Sequence, residues 1–209
     1  MDIKNSSTEN VNNINEKLCK DAETEQSELE IKITGFFEED LVINTAKKYE
    51  AKLKNGLSFN DFAYVFSSLR KLKKDDVKDI FVNGFSIKDD VMVAKYLQQN
   101  CLILNKNMFL DNNLTVYDNI KIISLMYCGY NLADACLSSF MIKDLANMKA
   151  GLLTNEDRNM VILSYTVCCP AIIWIIDSSL IQEISKNKLE IVENAIKIRL
   201  KHGGSILEI

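Results

Sequence analysis

Between residues 171 and 176 the chain reads Ala-Ile-Ile-Trp-Ile-Ile, without a polar position, and then meets a carboxylate at Asp177. A segment apolar on both faces has the pattern of a parallel strand covered by helices on each side. Helical spacing follows: Leu189, Val192, Ile196 and Leu200 share one face of the stretch 185–204, and Gly203-Gly204 close it. "SILEI" (205–209) reads as a last strand. Strand, helix and strand in this order make a βαβ unit, so the pattern predicts an α/β domain.

Upstream, "LEIKITGFF" (29–37) and "LVINTA" (41–46) carry the β-branched and aromatic residues of strands, with Glu38-Glu39-Asp40 as an acidic turn between them. After the Asn55-Gly56 turn, Phe62, Val65, Phe66 and Leu69 stand at helical spacing behind a Ser58 or Asn60 cap. "DIFVNGFSI" (79–87) reads as a strand turning at Asn83-Gly84, and "CLIL" (101–104) as a short buried strand. From Thr115 to Met148 the pattern is helical throughout, with Val116, Ile120, Ile123, Leu125 and Met126 on one apolar face and Leu132, Ala135, Cys136 and Phe140 on another. Thr154, followed by Glu156-Asp157, opens a further helix whose apolar residues Val161, Leu163 and Val167 lead to Pro170. Residues 1–28 hold too few large apolar groups to offset the entropy of ordering them, so they read as a disordered polar tail ahead of one domain, 29–209.

Composition narrows the function. With 47% hydrophobic and 26% charged residues, 209 residues suit one core. A net charge of -4 argues against nucleic-acid binding, which needs concentrated Lys and Arg. The one basic cluster, Arg70-Lys71-Leu72-Lys73-Lys74, reads as the cationic end of a helix. Six cysteines without a CxxC pair, beside a single histidine, suggest neither a disulfide framework nor a zinc site, and point to a reducing cytosol. Cys168-Cys169, among apolar neighbours, read as buried thiols, and His202, before Gly203, as a helix-end residue. "MDIKNSSTENVNN" has no secretory pattern, and the apolar run 161–176 is broken by Pro170 and too short to span a bilayer. No Ser/His/Asp or Cys/His catalytic set is visible.

The collinear order of four stretches resembles the nucleotide-binding domain of ATP-binding-cassette (ABC) transporters. "DIFVNGFSI" is similar to that family's G-E-I-x-x-x-G-x-x-I strand, and "LTVYDNIKI" (114–122) to its L-T-V-x-E-N-I segment. "LTNEDRNMVILSY" (153–165) sits where the signature L-S-G-G-Q-x-x-R-V-A-L-A-R belongs, and "IIWIID" where the Walker B strand belongs. Within the family, the Trp of "IIWIID", "LILNKN" (102–107) and "NKLEIVENAIKIRLKHGGSILEI" look most like the ATPase subunit of the haem exporter of cytochrome c biogenesis. The resemblance implies a P-loop NTPase-like parallel sheet core with an antiparallel β edge and a helical subdomain at about 115–150. It implies ATP and magnesium as cofactors, membrane permease subunits docked near residues 105–130, a possible homodimer, and a cytoplasmic place, peripheral on the inner membrane. Exposed Tyr117, Tyr127 and Tyr130 would suit that docking.

The departures fall on the chemistry. A P-loop, G-x-x-x-x-G-K-[ST], wraps phosphates with bare amides and supplies a lysine and a magnesium-binding hydroxyl. In "NGLSFNDFA", around Ser58, Asn55 and Asn60 stand for the glycines, Asp61 for the lysine and Phe62 for the hydroxyl residue. A carboxylate against phosphate costs on the order of several kcal/mol in a shielded site. Ser178 stands for the catalytic glutamate, Asn155-Glu156 for the signature glycines and Lys106 for the glutamine before the Thr-Val segment. No switch histidine follows the last strand. Asp177 is then either a metal-facing acid or, as these losses favour, a vestigial one ending its strand. The expectation is an ABC-type subunit with ATP hydrolysis weak or lost, a pseudoenzyme. The alternatives are an interaction protein reusing the fold, with its tail as an arm, or an unrelated helical protein.

Overall fold

The computed structural model describes residues 29–67 and 72–209. The proposed tail, residues 1–28, lies outside the described residues, as do Leu69, Arg70 and Lys71 of the expected helix and its basic end. Two sheets organise the rest. One is antiparallel, in the order β2-β1-β4-β5, from β1 (Glu30–Thr34), β2 (Leu41–Asn44), β4 (Asp79–Val82) and β5 (Phe85–Ser86). The other is parallel, in the order β3-β8-β7-β6, from β3 (Lys48–Glu50), β6 (Cys101–Leu104), β7 (Ile173–Ile176) and β8 (Ser205–Glu208). The helices are α1 (Phe59–Phe66), α2 (Val91–Asn100), α3 (Val116–Cys128), α4 (Ala133–Ser139), α5 (Asn155–Ser164), α6 (Ser178–Gln182) and α7 (Lys186–Lys201).

Strand periodicity divides the parallel sheet between two cores, because successive side chains point to opposite faces. Leu102, Leu104, Trp174, Ile176 and Ile206 join α3, α4, α5 and α7 on one face. Ile173, Ile175 and Leu207 face the other way and join the antiparallel sheet, α1 and α2. A helix therefore lies between the two sheets: α1 buries Phe62 and Phe66, and the Phe62 ring meets Phe36 edge-on at 5.2 Å and also packs against Phe37 and Phe66. The uninterrupted apolar run in 171–176 is explained by this double cover, since all four residues of β7 are buried.

The structure corrects several expectations. "LVINTA" is not one strand: β2 stops at Asn44, the chain turns through Ala46 at φ 60°, and β3 begins at Lys48 in the other sheet. The stretch 115–148 is not helical throughout. Gly129, at φ 76°, ends α3 in the left-handed conformation, and after α4 the chain turns at Met141 into a short 3-10 turn, Lys143–Leu145. Leu125, Met126, Ala135 and Val167, expected on apolar faces, are exposed, whereas Ala133 and Leu137 are buried. Helix α1 ends at Phe66, so Lys73 and Lys74 lie beyond it rather than in its last turn. Tyr117 is half-buried against the core and accepts a hydrogen bond from Asn131 at 2.9 Å, which leaves Tyr127 and Tyr130 as the exposed pair. The Asn83-Gly84 turn is as expected, with both residues at positive φ joining β4 to β5.

Candidate functional site

The C-terminal ends of parallel strands, where succeeding helices begin, are where open α/β sheets bind ligands. Here that edge holds a cavity of about 670 Å³, bordered by Glu50 at the end of β3, Ala51 after it, Phe59 of α1, Ser178 and Gln182 of α6, and Ile209. The turn 51–58 lies between β3 and α1, as the P-loop alignment requires, although β3 flanks the sheet and is not central among the described strands. The Asn60 side chain at the start of α1 accepts a hydrogen bond from Asn105 Nδ2, 3.1 Å away, just beyond β6. Sequence-distant positions 55–62, 105–106 and 177–178 are thus gathered at one edge.

Their bonding is specific. The Asp61 N–H donates to Ser58 Oγ at 3.1 Å, and Ser58 returns its own N–H and hydroxyl to Asp61 Oδ2 at 3.2 and 2.7 Å. This is a capping box, and it places a carboxylate at the positive end of α1. Phe62, the next residue, is fully buried in the aromatic cluster. Asn55 precedes Gly56, which turns the chain at φ 84°. Lys48 bridges Glu50 and Glu208, each at 2.8 Å. Burial opposes the charge of Lys48, but the hydrogen bonds it donates to both carboxylates, with their charge, outweigh it and raise its pKa.

Asp177 follows β7 directly. It caps α6, accepting the Ser179 N–H at 3.0 Å, while its own N–H reaches Leu104 O at 2.9 Å. Ser178 donates its N–H to Ile209 O at 2.7 Å. Lys106 pairs with Glu183 at the end of α6 and holds that carboxyl below its usual range.

Asn155 and Glu156 open α5 behind Thr154, whose hydroxyl donates to Asp157 at 2.7 Å. Glu156 accepts the Ser185 N–H at 2.9 Å, and Lys188 pairs with Asp157 at 2.8 Å, so the start of α5 is tied to the start of α7. Ser185 holds the Glu156 carboxyl below its usual range. The Asn159 amide donates to Leu180 O and to Glu183 at 3.2 and 3.3 Å, joining α5 to the Lys106 pair. Sequence reading offered Ser58 or Asn60 as the cap, of which the structure takes Ser58, but took Asp61 only as a lysine replacement. The Ser-x-x-Asp spacing was the available signal for the reciprocal bond. Glu183, Ser185 and Lys188 carried no comparable local signal, because the partners named above are 24 to 77 positions away.

No family model matches the chain. Curated relatives do: the Cytochrome c biogenesis ATP-binding export protein CcmA of Rickettsia bellii is 24% identical over 125 residues, covering 60% of this chain and 63% of that protein. The protein of the same name from Rickettsia conorii is 24% identical over 107 residues, 51% of this chain and 56% of that one. The chain thus spans less than two thirds of these relatives. Among solved structures, an ABC transporter ATP-binding protein from Pyrococcus furiosus superposes with a TM-score of 0.61 at 21% identity, covering 88% of this chain and 91% of its own. The fold is that of an ABC ATP-binding cassette. Another cassette, MJ0796, solved as a dimer bound to ADP and Pi, matches at a TM-score of 0.60 and 14% identity over 85% of this chain and 86% of that one. Among the described residues no helix is long and apolar enough to cross a membrane.

Proposed function

We propose that this cassette is a subunit of a CcmA-like haem exporter that docks on membrane permease subunits and hydrolyses ATP weakly or not at all. The observation that carries the reading is the Ser58/Asp61 capping box. In a working P-loop the exposed amides at the start of the helix receive phosphate. Here the helix start already holds a carboxylate bound to Ser58. A triphosphate arriving there meets like charge and has to displace an existing hydrogen bond.

The residues present do not fit a magnesium nucleotide. The hydroxyl position is the buried Phe62 ring, and Asp177 is engaged as the cap of α6. Glu156, on the signature segment, is bonded to Ser185. Names and fold of the relatives support the exporter assignment, and exposed Tyr127 and Tyr130 at the end of α3 support a docking surface on the helical region. On this reading the cassette is a single domain, peripheral on the inner face of a membrane, and dimerises little through nucleotide.

Titration of the full chain with a fluorescent ATP analogue and magnesium tests the reading, beside Asp61→Lys. No saturable signal is expected from the unaltered chain below about millimolar ligand, and tighter binding by the lysine variant. Saturable micromolar binding by the unaltered chain, or ATP turnover in complex with permease subunits, overturns it.

A further inference from the structure

A second cavity, of about 650 Å³, opens at the other end of the parallel sheet, where residues 167–170 lead into β7 and the last turns of α7 lead to β8. Its walls are mostly apolar, with Ser139, Thr166, Asn194 and His202 also among the lining residues. Phe140 and Pro170 line it, and Met141, Val167 and Ile198 stay exposed at its rim. None of the lining residues is an Asp or Glu. A pocket of this size and lining suits a small organic molecule.

Two of the lining residues carry buried donors without an acceptor. Trp174 is only 5% exposed, yet its Nε1–H meets no acceptor in the protein, and the buried Arg199 Nε–H meets none either. Among the described residues these are the only buried side-chain nitrogen or oxygen atoms so placed. The Arg199 guanidinium carbon is 5.8 Å from the centroid of the Trp174 ring, and both residues line the cavity. Gly204 makes room for this placement, because a Cβ there would fall 1.9 Å from Arg199 Nε. Buried donors are rarely left without acceptors, and two such donors in one cavity mark a position for acceptor oxygens.

We propose that this cavity binds an organic monocarboxylate with an apolar body. The carboxylate accepts from Trp174 Nε1 and Arg199, and the body packs against Phe140, Pro170 and Ile198. A wholly apolar ligand leaves both donors unmatched. A nucleotide or other polyanion brings several charges into apolar walls that offer one guanidinium. The site lies at the opposite end of the sheet from the nucleotide-site positions, so its test is independent of the ATP reading.

Trp174 is the only tryptophan of the chain, so its emission reports on the cavity. The full chain is titrated with decanoate, kept below its micelle concentration, and with decanol. The expected result is a saturable emission change with decanoate at least about tenfold tighter than with decanol, the order given by a charge-assisted hydrogen bond. Arg199→Gln is expected to lose about tenfold in decanoate affinity with decanol binding unchanged and the circular dichroism spectrum retained. Gly204→Ala, which displaces Arg199, is expected to do the same without removing the cation. No saturable response, equal affinities for the two probes, or an unchanged decanoate affinity in Arg199→Gln overturns the proposal.

Discussion

The two cavities at opposite ends of the parallel sheet are nearly equal in size, about 670 and 650 Å³, and differ in how their polar groups are occupied. At the edge where family likeness places a nucleotide, the protein supplies its own partners: Asp61 with Ser58, Asp177 with Ser179, and Lys48 with Glu50 and Glu208. At the other edge, which no motif marked, two buried donors have no acceptor. Volume alone does not separate the two. Unmet hydrogen-bonding capacity does, because a self-satisfied site gains little by exchanging one partner for another.

The largest effect that can break this comparison concerns Phe62. If the start of α1 were still poised for a metal-bound phosphate, a small residue would be tolerated at that position. Its ring is instead fully buried between Phe36, Phe37 and Phe66. Phe62→Ala is expected to cost about 3–5 kcal/mol in urea unfolding, as a large cavity in a packed core does. A loss under about 1 kcal/mol, well below the usual range for such a change, would mean that the position is looser than its contacts imply. For the same reason Phe62→Ser, which puts a hydroxyl where the P-loop alignment has one, is expected to destabilise the α1 region.

Next in size is the capping box. Ser58→Ala removes the acceptor of the Asp61 N–H and a donor to the Asp61 carboxylate. A loss of about 1 kcal/mol in unfolding free energy is expected, the usual worth of an N-cap. Ser58→Gly is expected to recover most of it, since glycine is a tolerable cap. If Ser58→Ala is neutral, the bonds that occupy the start of α1 contribute nothing net, and the contrast between the two cavities weakens.

How much of this was legible follows from what each segment reports locally. β7 announced itself because burial on both faces leaves four consecutive apolar residues, and α7 because Val192 and Ile196 recur on one turn spacing. β3 was silent: Lys-Tyr-Glu at the sheet flank carries two charges and only three residues. Helix α2 was silent too, since just Val93 and Leu97 are buried while Val91 and Met92 are exposed. The break after α3 did carry a signal, Gly129, which the continuing apolar spacing outweighed. At the candidate site, substitutions at 60–62 were readable one by one, but their present roles were not. Whether Asp61 repels a phosphate or caps its own helix depends on where Ser58 stands, and Trp174 meets its neighbour Arg199 from 25 positions away.

The smaller effects lie where α5 is tied to α7. Burial pushes the Asp157 carboxyl up, but hydrogen bonds from Lys188 and Thr154 and the lysine's charge outweigh it and hold it below its usual range. A depressed carboxylate contributes stability that is present above its unfolded pKa, about 3.9, and is lost as pH falls through the lower folded value. Asp157→Asn is therefore expected to lower stability at neutral pH by less than about 1 kcal/mol, since the asparagine keeps part of the cap. It should also flatten the fall in unfolding midpoint below about pH 4. The sign reverses for Lys188, whose pKa is raised first by its hydrogen bond with Asp157. Its contribution is present below the unfolded value of about 10.4 and is lost as pH rises through the higher folded one. The exposed Lys106–Glu183 pair is the weakest case, with side chains 43% and 40% exposed. Solvent and salt screen such a pair, so Lys106→Ala is expected to leave the thermal midpoint within replicate scatter at 0.15 M salt. A clear drop would show that the pair, with Asn159 donating to the same Glu183, braces α5 against α6 as a network and not as a surface contact.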